Sequence, residues 1–508
     1  MTTHDFDVIV VGAGNAGLTA ALAAHEAGAR VLVLEAANKE ERGGNSRFTG
    51  GIFRTIHDGL EAIRPILHPS NEQWEGRVET RPYTVEDYTK DWSATSQGRQ
   101  DQELMRMTIE RSFDTLVWMH SKGVDFDLTA DKQVDPEKQE EGTLVGLPPG
   151  GAVRSYHEGI GLMKNLFEAV EAAGIEVWYD APGHDLLTQG STVLGVRVRR
   201  DDEFVDVYGQ VVLAAGGFEA NPEMRLRYLG PGWDLVRVRG TRFNMGTMLR
   251  KSIEAGAQPY GHWGGAHAVP VDADAPPVGD LRITDKMSRY SYPWSLLVNS
   301  AGERFVDEGE LHVWLTYAKT GWAVRAQPGA MAYQVFDQKT LHLLEPRYST
   351  GTPVVADTIE ELADKLGISK SGLVKTVSDF NAAVPADAEE RNNPFDLDGV
   401  AAEPEGQPVK SNWSLRIDEG PFVCYPVTCG VTFTYGGVRI DAQARVLNQE
   451  GKPMAGLYGT GEITGGFFYH NYGAGAGLMR GAVFGRIAGM NAAARAAERA
   501  GTVEMARA

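Results

Sequence analysis

The chain begins with the stretch Asp7-Val8-Ile9-Val10-Val11-Gly12-Ala13-Gly14-Asn15-Ala16-Gly17-Leu18, and Val31-Leu32-Val33-Leu34-Glu35 follows after one helix length. An apolar run, a Gly-x-Gly-x-x-Gly turn, a helix of small residues and a second apolar run ending in an acid indicate a dinucleotide-binding βαβ unit. Gly12 permits the tight turn, Gly14 lets the backbone approach a pyrophosphate, and Gly17 lets the helix pack on the strand. The phosphates are expected at the positive end of that helix.

Glu35 ends the second apolar run and can accept hydrogen bonds from both hydroxyls of an adenosine ribose. This pattern favours an unphosphorylated ribose and disfavours NADP. A glycine-rich turn without a ligand is the alternative, and the complete strand, helix, strand and acid argue against it. The residues expected to contact the cofactor in this unit are Gly12, Gly14, Asn15, Ala16, Gly17, Glu35 and Ala36.

Further glycine-rich segments indicate which dinucleotide is bound. A small polar loop follows Glu35, a strand that starts at Val211 runs into glycines, and two glycine clusters lie near the C-terminus. Because FAD is long and is held by several separated segments, this arrangement fits a flavin better than a nicotinamide. No histidine or cysteine falls within Gly43–Ser46, so the FAD is expected to be non-covalent. The additional cofactor residues are expected to be Gly43, Gly44, Asn45, Ser46, Thr49, Gly50, Gly51, Ala214, Ala215, Gly216, Gly217, Asn244, Gly461, Glu462, Gly475, Gly477 and Leu478.

At these segments the chain resembles the FAD flavoprotein superfamily of fumarate reductases, succinate dehydrogenases and 3-ketosteroid dehydrogenases, over essentially its whole length. More narrowly, Arg239–Asn244, His267–Val269, Gly302–Glu308 and Thr316–Lys319 look like the tricarballylate dehydrogenase branch. The resemblance implies an α/β fold, with a Rossmann-like FAD-binding domain and an inserted α+β capping domain.

From about His262 the chain is rich in proline, aspartate and aromatic residues, and the glycine-rich pattern returns near Val431. We therefore expect the FAD-binding domain at 1–262 and 431–508, with the capping domain at 263–430. Apolar periodicity and caps predict helices at Asp101–Gly123, Ile160–Ala173, Thr358–Leu366, Ser371–Ala383 and Gly477–Arg499. Alternating patterns predict a small antiparallel unit built from Ile175–Tyr179, Thr192–Arg200 and Phe204–Val207.

Composition argues against several classes of function. The 508 residues carry 49 Lys and Arg against 68 Asp and Glu, a net charge of −19 that opposes binding to nucleic acid or anionic membranes. Cys424 and Cys429 lack histidine partners or a second pair, so no metal site is expected. No basic leader precedes Asp7, and no apolar run approaches the ~20 residues of a membrane span. A soluble cytoplasmic protein is expected.

Catalytic candidates follow from the resemblance, which implies a substrate between the flavin ring and the cap. After the Phe305–Glu308 element, related enzymes carry a catalytic arginine or a tyrosine base where this chain has His312. A histidine exchanges protons near neutral pH, although packing against Trp314 and Tyr317 is an equal alternative. Tyr317 and Lys319 are the other candidate bases.

A second set of candidates comes from the C-terminal third of the chain. Fumarate reductases carry a substrate-binding histidine where Phe433 stands and an arginine near Tyr472. Ketosteroid dehydrogenases instead place a tyrosine before a glycine-rich turn as an oxyanion hole, which Tyr472 with Gly475 matches better. The remaining expected substrate contacts are Arg242, Arg289, His267, Tyr435, Phe468 and His470.

The chemistry implied is desaturation: a hydride leaves for the flavin, and a neighbouring acidic proton leaves for a protein base. Tyr472 would stabilise an enolate-like oxygen, while His312, Tyr317 or Lys319 would take the proton. A tricarballylate-like polycarboxylate is the first expected substrate. A cyclic ketone or ketosteroid-like substrate, or fumarate-reductase-type reduction of an enoate, are the alternatives.

Two other classes of function are alternatives to a dehydrogenase. An NAD(P)H-dependent reductase or monooxygenase needs a second nucleotide site, and Ala214–Gly217 is too short to be one. A non-catalytic flavin-binding scaffold is the third option. The expected partners are a small-molecule substrate and an unidentified electron acceptor, with the oligomeric state left open.

Overall fold

The structure is a computed structural model that describes residues 3–130, 144–394 and 396–507, with side chains of residues 5–499 within these ranges. The chain forms two compact units. The first unit consists of Met1–Asp234, Gly240–Ala266 and Phe433–Ala508, and the second of Leu235–Arg239 and His267–Thr432. The sequence placed the borders at residues 262/263 and 430/431. It did not anticipate that 235–239 joins the second unit.

The α-helices of the described residues are, in chain order, α1 (Asn15–Glu26), α2 (Leu60–Ile63), α3 (Val85–Ser96), α4 (Gln102–Glu110), α5 (Ser112–Ser121), α6 (Glu158–Ala172), α7 (Pro222–Leu229), α8 (Thr247–Glu254), α9 (Tyr317–Arg325), α10 (Ile359–Leu366), α11 (Lys370–Ala383), α12 (Ala388–Arg391) and α13 (Ala476–Arg507).

The strands of the same residues are β1 (Thr3–Val11), β2 (Val31–Leu34), β3 (Val78–Glu79), β4 (Phe126–Leu128), β5 (Val145–Gly146), β6 (Val153–Ser155), β7 (Glu176–Trp178), β8 (Gly183–Gln189), β9 (Thr192–Arg200), β10 (Glu203–Leu213), β11 (Arg237–Val238), β12 (Pro259–Asp272), β13 (Leu296–Val298), β14 (Met331–Phe336), β15 (Val354–Ala356), β16 (Phe422–Val438), β17 (Arg445–Leu447) and β18 (Pro453–Gly459).

A mixed sheet forms the centre of the first unit, in the order β17-β18-β10-β1-β2-β7. All neighbours from β18 to β7 are parallel, and β17 is antiparallel to β18. Strands β8 and β9 form an antiparallel branch on β10. The prediction of an α/β FAD-binding fold is confirmed. The prediction for Ile175–Tyr179 is wrong, because β7 pairs in parallel with β2 and belongs to the main sheet.

The turn after β1 depends on glycine for steric reasons. Gly12 has φ +106°, and a Cβ there would lie 2.4 Å from the carbonyl oxygen of Ala214. A Cβ on Gly17 would lie 1.9 Å from the carbonyl oxygen of Gly12. Real Cβ atoms do not approach other atoms this closely, so these two positions require glycine for the turn and for the packing of α1.

Two predicted helices in the first unit differ from the structure at their ends. The predicted helix Asp101–Gly123 is divided into α4 and α5, because Arg111 has φ −97° and ψ 0° and ends α4. Helix α13 begins at Ala476 and continues past Arg499. Neither difference changes which residues reach the glycine-rich segments.

The second unit contains a sheet with the order β11-β16-β14-β13. Strand β14 is antiparallel to β16, from the pair Met331 and Thr428 to the pair Phe336 and Val423. Helices α10 and α11 begin after Thr358 and Ser369, whose hydroxyls accept backbone N–H groups of the first turn, as N-caps do. Leu362, Leu373 and Phe380 from these helices are buried in the same core as Val335 and Cys424.

Both cysteines are buried free thiols. Among the described residues, no group of three or more histidine, cysteine or acidic side chains is arranged to hold a metal ion. Within the same ranges, no helix has both the length and the apolar content that a membrane span requires.

Candidate functional site

Three parallel strands of the first unit end side by side at the glycine-rich segments. The Ala214 N–H donates to the carbonyl of Val11 at 2.8 Å, and the Thr460 N–H donates to the carbonyl of Leu213 at 2.9 Å. The segments that follow β1, β10 and β18 are therefore in register at one edge of the sheet. Ligands of open α/β sheets bind at such carboxyl ends.

The N-terminus of α1 has no side-chain cap. Its N-cap residue, Gly14, has no side chain to accept the N–H groups of the first turn. Asn15 connects this end to two other predicted cofactor segments, since its N–H donates to Ser46 Oγ and its Nδ2 to the carbonyl of Leu478, both at 3.0 Å. The buried Asn15 Oδ1 has no hydrogen-bond partner among the described residues. These features fit a dinucleotide with a pyrophosphate.

Glu35 lies at the end of β2 as a buried acid. Its carboxylate accepts the N–H of Ala13 at 3.1 Å and of Ala37 at 2.9 Å. Burial raises the pKa of Glu35, and these backbone bonds oppose the rise. The prediction that Glu35 accepts ribose hydroxyls stays a prediction, and its position beside the Gly12–Gly17 turn is compatible with it.

A cluster of carboxyl and amide side chains lies beside the same strand ends. Glu219 Oε1 accepts Nδ2 of Asn45 at 2.6 Å and Nδ2 of Asn244 at 2.5 Å. Glu462 Oε1 accepts the backbone N–H of Thr434 at 2.8 Å and its hydroxyl at 3.2 Å. Sequence reasoning named Asn45, Asn244 and Glu462 but missed Glu219 and Thr434. An acid directly after the Gly216-Gly217-Phe218 strand end was the available signal for Glu219.

The other predicted cofactor residues lie in loops and helix ends of the first unit. They are Ala16, Ala36, Gly43, Gly44, Thr49, Gly50, Gly51, Ala215, Gly216, Gly217, Gly461 and Leu478.

Four of the predicted substrate and catalytic residues form one aromatic cluster in the first unit. Phe433 makes edge-to-face contacts with Tyr472 at 5.1 Å and with Tyr435 at 5.5 Å between ring centroids. Phe468 packs edge-to-face on Tyr472 at 5.0 Å. Trp92, from α3, stacks on Phe468 at 5.2 Å and donates its Nε1–H to the Phe467 carbonyl. The sequence had no signal that α3 contributes to this cluster.

The hydroxyl of Tyr472 is fixed by a backbone bond. It accepts the N–H of Gly477 at 2.9 Å. Burial raises the pKa of Tyr472, so the phenol remains protonated at neutral pH. Gly475 has φ +84°, and a Cβ there would lie 2.5 Å from the backbone nitrogen of Arg54, so the turn after Tyr472 requires glycine.

Two buried arginines adjoin the aromatic cluster, and sequence reasoning missed both as site residues. Arg54 donates its Nε–H to the carbonyl of Ala474 at 2.9 Å and pairs with Asp91 at 2.7 Å. Arg480 lies over the ring of Phe468 at 4.8 Å, and burial lowers its pKa to about 10. Both arginines support the segment around Tyr472.

Two predicted substrate residues lie at the surface of the first unit. His470 is exposed, has φ +61°, and donates its backbone N–H to Nδ1 of His262. Arg242 has 61% of its side chain exposed and pairs with Glu41 at 2.6 Å. Among the described residues, neither side chain is a member of the aromatic cluster.

The contacts of Arg289 in the second unit argue against the prediction that it binds substrate. Its side chain is 1% exposed and pairs with Asp272 at 2.7 Å. Its other donors go to the carbonyls of Lys286, Ser288 and Arg347 and to the Thr350 hydroxyl. All N–H groups of this guanidinium therefore have protein acceptors, so Arg289 stabilises the second unit.

His267 and Tyr317 lie together in the second unit. Their rings meet edge-to-face at 4.9 Å, and Tyr317 also contacts Tyr290 at 5.0 Å. Burial, with Arg239 as the second cause, holds the pKa of His267 well below its usual value. His267 is consequently neutral at physiological pH and has no charge with which to bind a carboxylate.

His312 and Lys319 each lie near an acid of the second unit. His312 Nε2 is 3.8 Å from Asp396, and the ring is 5.9 Å from that of Trp413. Lys319 Nζ pairs with Glu310 at 2.5 Å. This ion pair already engages the Lys319 side chain, which favours His312 and Tyr317 over Lys319 as the base.

Comparison with known proteins decides the family. The model of the family described as FAD binding domain matches residues 7–478. The chain belongs to this FAD-binding family. A probable fumarate reductase, Ifc3, of Shewanella frigidimarina is 30% identical over 97% of this chain and 75% of its own. The 4-oxocyclohexanecarboxylate 2-dehydrogenase of Sinomonas cyclohexanicum is 28% identical over 97% of this chain and 93% of its own.

Other relatives are longer than this chain. The NADH:acrylate oxidoreductase of Vibrio harveyi is 26% identical over 96% of this chain, which spans 50% of that protein. Among solved structures, the open conformation of a flavocytochrome c3 fumarate reductase superposes with a TM-score of 0.69 at 26% identity, covering 97% of this chain and 79% of that one. The predictions of the superfamily and of FAD as cofactor are confirmed at this level.

Proposed function

We propose that this chain is an FAD-dependent dehydrogenase that forms a carbon–carbon double bond next to a carbonyl group, and that its substrate is a small cyclic ketone or keto acid. The observation that carries the proposal is the Tyr472 hydroxyl, which is held by the Gly477 N–H inside an aromatic cluster. A tricarballylate-like polycarboxylate, the first expectation from the sequence, becomes the second candidate.

The residues that hold FAD come from the first unit. The N-terminus of α1 with Gly14 and Asn15 receives the pyrophosphate, and Glu35 receives the adenosine ribose. Asn45 and Glu462 are proposed to contact the flavin end of the cofactor. Bound FAD supplies the hydride acceptor, and every other part of the reaction is carried out by protein side chains.

Tyr472 is proposed to donate a hydrogen bond to the carbonyl oxygen as negative charge develops there. Accepting the Gly477 N–H polarises the phenol and strengthens its own O–H as a donor. The surrounding rings of Phe433 and Phe468 exclude water, which increases the strength of such a bond. Tyr435 is a second candidate donor, because its buried hydroxyl has no hydrogen-bond partner among the described residues.

The choice of substrate class depends on the available cations. Arg289 and Arg242, two predicted carboxylate ligands, are paired with Asp272 and Glu41. Of the two arginines that adjoin the aromatic cluster, Arg54 is paired with Asp91 and Arg480 donates to the Thr464 carbonyl. Three carboxylates require more positive charge than these two side chains offer, whereas a ketone needs a hydrogen-bond donor and an apolar wall. The relative that acts on 4-oxocyclohexanecarboxylate supports a ring bearing both a ketone and a carboxylate.

The base remains a choice between His312 and Tyr317. The pH profile of flavin reduction distinguishes them, because a histidine base loses activity as it is protonated in the acidic range, whereas a tyrosine base must be deprotonated and gains activity as the pH rises into the alkaline range.

The proposal is tested by anaerobic flavin reduction in Tyr472→Phe. The ring is retained, so FAD should stay bound, and the reduction rate on a good ketone should fall by about 10²–10³, the cost of one oxyanion donor. Tyr458→Phe is the control, because its hydroxyl bonds to the Asn491 carbonyl at 3.3 Å in the same unit. An unchanged rate in Tyr472→Phe removes this residue from the mechanism.

Two substrate panels test the specificity. The flavin should be reduced by cyclic ketones and oxocyclohexane carboxylates, and slowly or not at all by tricarballylate and other polycarboxylates. Reduction by the polycarboxylates alone reverses the order of the two candidates. Reduction by neither panel, together with rapid reduction by NADH or NADPH alone, refutes the dehydrogenase proposal in favour of a nicotinamide-dependent reductase.

Reduction of an activated double bond is the second candidate function, because the relatives include proteins named for fumarate and acrylate. It uses the same residues in the opposite direction and needs an electron donor. Reoxidation of photoreduced protein by fumarate or acrylate, faster than by cyclohexenone carboxylates, favours this direction.

A further inference from the structure

The two oxygens of the buried Glu219 carboxyl have different surroundings. Oε1 accepts two amide N–H groups, from Asn45 at 2.6 Å and Asn244 at 2.5 Å. Oε2 is buried and receives no donor from any described residue. An ionised carboxylate is an acceptor at both oxygens, whereas a protonated acid accepts at its carbonyl oxygen and donates from its hydroxyl.

The orientation of the Asn45 side-chain amide supports this difference between the two oxygens of Glu219. Its Oδ1 accepts the backbone N–H of Thr241 at 2.8 Å, so its Nδ2 must face Glu219. The amide cannot be flipped without losing that backbone bond. Glu219 Oε1 therefore accepts a hydrogen bond that the surrounding backbone dictates.

The Glu462 carboxyl lies in hydrogen-bonding contact with Glu219. Glu462 Oε1 already accepts the N–H and the hydroxyl of Thr434. Two buried carboxylates in contact repel each other, and one proton between them converts the repulsion into a charge-assisted hydrogen bond. We propose that Glu219 is a neutral, protonated acid whose hydroxyl donates to an ionised Glu462, and that it is the positioning residue for the cofactor side chains Asn45 and Glu462.

The charges around the pair support this assignment of the proton. Arg480 faces Glu462 and stabilises its ionised form. The Glu219 carboxyl accepts from the neutral amides of Asn45 and Asn244, and the buried guanidinium of Arg225 donates to the Glu219 backbone carbonyl at 2.5 Å. Burial and the neighbouring Glu462 raise the pKa of Glu219 well above its usual value.

Glycines explain why the group can assemble. A Cβ on Gly217 would lie 2.1 Å from Glu462 Oε1 and 2.2 Å from Thr434 Oγ1. A Cβ on Gly216 would lie 2.5 Å from Asn244 Nδ2, and one on Gly240 would lie 2.3 Å from Asn45 Oδ1. Any side chain at these positions displaces a member of the hydrogen-bonded group. The glycines after β10 thus make room for protein side chains as well as for a cofactor.

The proposal has a consequence for cofactor binding that is independent of the substrate. Asn45 belongs to the loop after Glu35, and Glu462 follows β18, so Glu219 connects two separate cofactor segments. Removing its donor and acceptor takes one hydrogen bond from Asn45 Nδ2 and one from Glu462. FAD then has to order both side chains on binding, and its affinity falls.

The first test is infrared spectroscopy of the apoprotein. The difference spectrum between wild type and Glu219→Gln at pH 7 should contain the carbonyl stretch of one protonated carboxyl, lost in the variant. Glu223→Gln is the matched control, since Glu223 is exposed and pairs with Arg227 at 2.8 Å, and it should remove no such band. Absence of the band from the Glu219 difference spectrum overturns the proposal, because Glu219 would then be ionised.

The second test measures FAD affinity in conservative and disruptive variants. A glutamine at position 219 has a carbonyl oxygen to accept from Asn45 and an N–H to donate to Glu462, so Glu219→Gln should keep the dissociation constant within about threefold of wild type. Glu219→Leu, similar in size but apolar, should weaken binding by about tenfold or more. Equal weakening in both variants overturns the proposal, because charge rather than a neutral hydrogen bond would then matter. If Glu219→Leu does not fold, the infrared band and Glu219→Gln decide the question alone.

Discussion

Two buried acids of the first unit and two of the second are held by different kinds of donor. In the first unit, Glu35 accepts only backbone N–H groups and Glu219 accepts only amide groups. In the second unit, Asp272 and Glu308 are paired with the buried arginines Arg289 and Arg304. An acid that accepts only from neutral groups can still hydrogen-bond to a ligand. A buried arginine that is already paired with a protein acid has no N–H group available for a ligand. The difference separates groups proposed to hold the cofactor from groups that stabilise a core.

The largest effect that tests this comparison is expected for Arg304→Met in the second unit. Arg304 and Glu308 have no exposed side-chain surface and are joined at 2.5 Å. Removing the arginine leaves a buried, unpaired carboxylate and should lower the free energy of unfolding by about 3–5 kcal/mol in denaturant titrations. The double variant Arg304→Met/Glu308→Leu should recover most of this loss. A single variant as stable as wild type shows that the pair does not support the second unit.

The next effect concerns the pH dependence of stability in Glu219→Gln. Burial and Glu462 raise the native pKa of Glu219 above its ordinary value of 4.5. The unfolded chain therefore releases the proton first, so wild-type stability falls as pH rises from about 4.5 to the native pKa, by up to about 1.4 kcal/mol per pH unit.

Glu219→Gln has no such proton to retain. As the pH rises through this window, the unfolding free energy of wild type should fall relative to that of Glu219→Gln. Below pH 4 the two free energies should converge. Glu223→Gln should follow wild type throughout. Parallel profiles for wild type and Glu219→Gln would falsify the assignment of a raised pKa.

A smaller effect is expected for Glu35→Gln. The substitution keeps the size of the side chain but removes its charge and one acceptor, so FAD binding should weaken by about tenfold, or 1.4 kcal/mol. Fluorescence titration of the apoprotein with FAD measures the change. Glu26→Gln, at the exposed end of α1, is the control and should bind FAD as wild type does. Unchanged affinity in Glu35→Gln argues against a ribose contact.

The smallest effect is expected for Arg242→Ala. Its ion pair with Glu41 is at the surface, where such pairs contribute about 0–1 kcal/mol. Neither the unfolding free energy nor flavin reduction by ketones should change measurably. Loss of flavin reduction in this variant would restore Arg242 as a substrate ligand and return the polycarboxylates to first place.

The parts of the fold predicted from sequence are those governed by local rules. The glycine turn after β1, the acid at the end of β2 and the capped helices α10 and α11 each depend on residues a few positions apart. The assignment of β7 was wrong because an alternating pattern does not specify its partner. That strand pairs in parallel with β2, and the two strands are separated along the chain by residues 35–175.

The candidate site was predictable to the same extent. Sequence reasoning named Tyr472, Phe433 and Phe468, which the structure brings into one cluster, because all three lie in glycine-rich segments that the resemblance marks. It missed Arg480 and Trp92, which lie within regular helices and show no motif. It also named Arg289, whose acceptors include Arg347 and Thr350, 58 and 61 residues further along the chain.

By itself, the amino-acid sequence determined the family, the FAD cofactor and the strand ends at which we propose that FAD is held, because positive φ angles, close backbone approach and apolar periodicity are local properties of residue type. Only the tertiary structure determined which charged groups remain available to bind a ligand. Glu219 meets Glu462, and Arg289 meets Asp272, only after distant segments pack together and exclude water. Desolvation and the proximity of charges then fix where each proton resides, and neither quantity can be read from the order of residues along the chain.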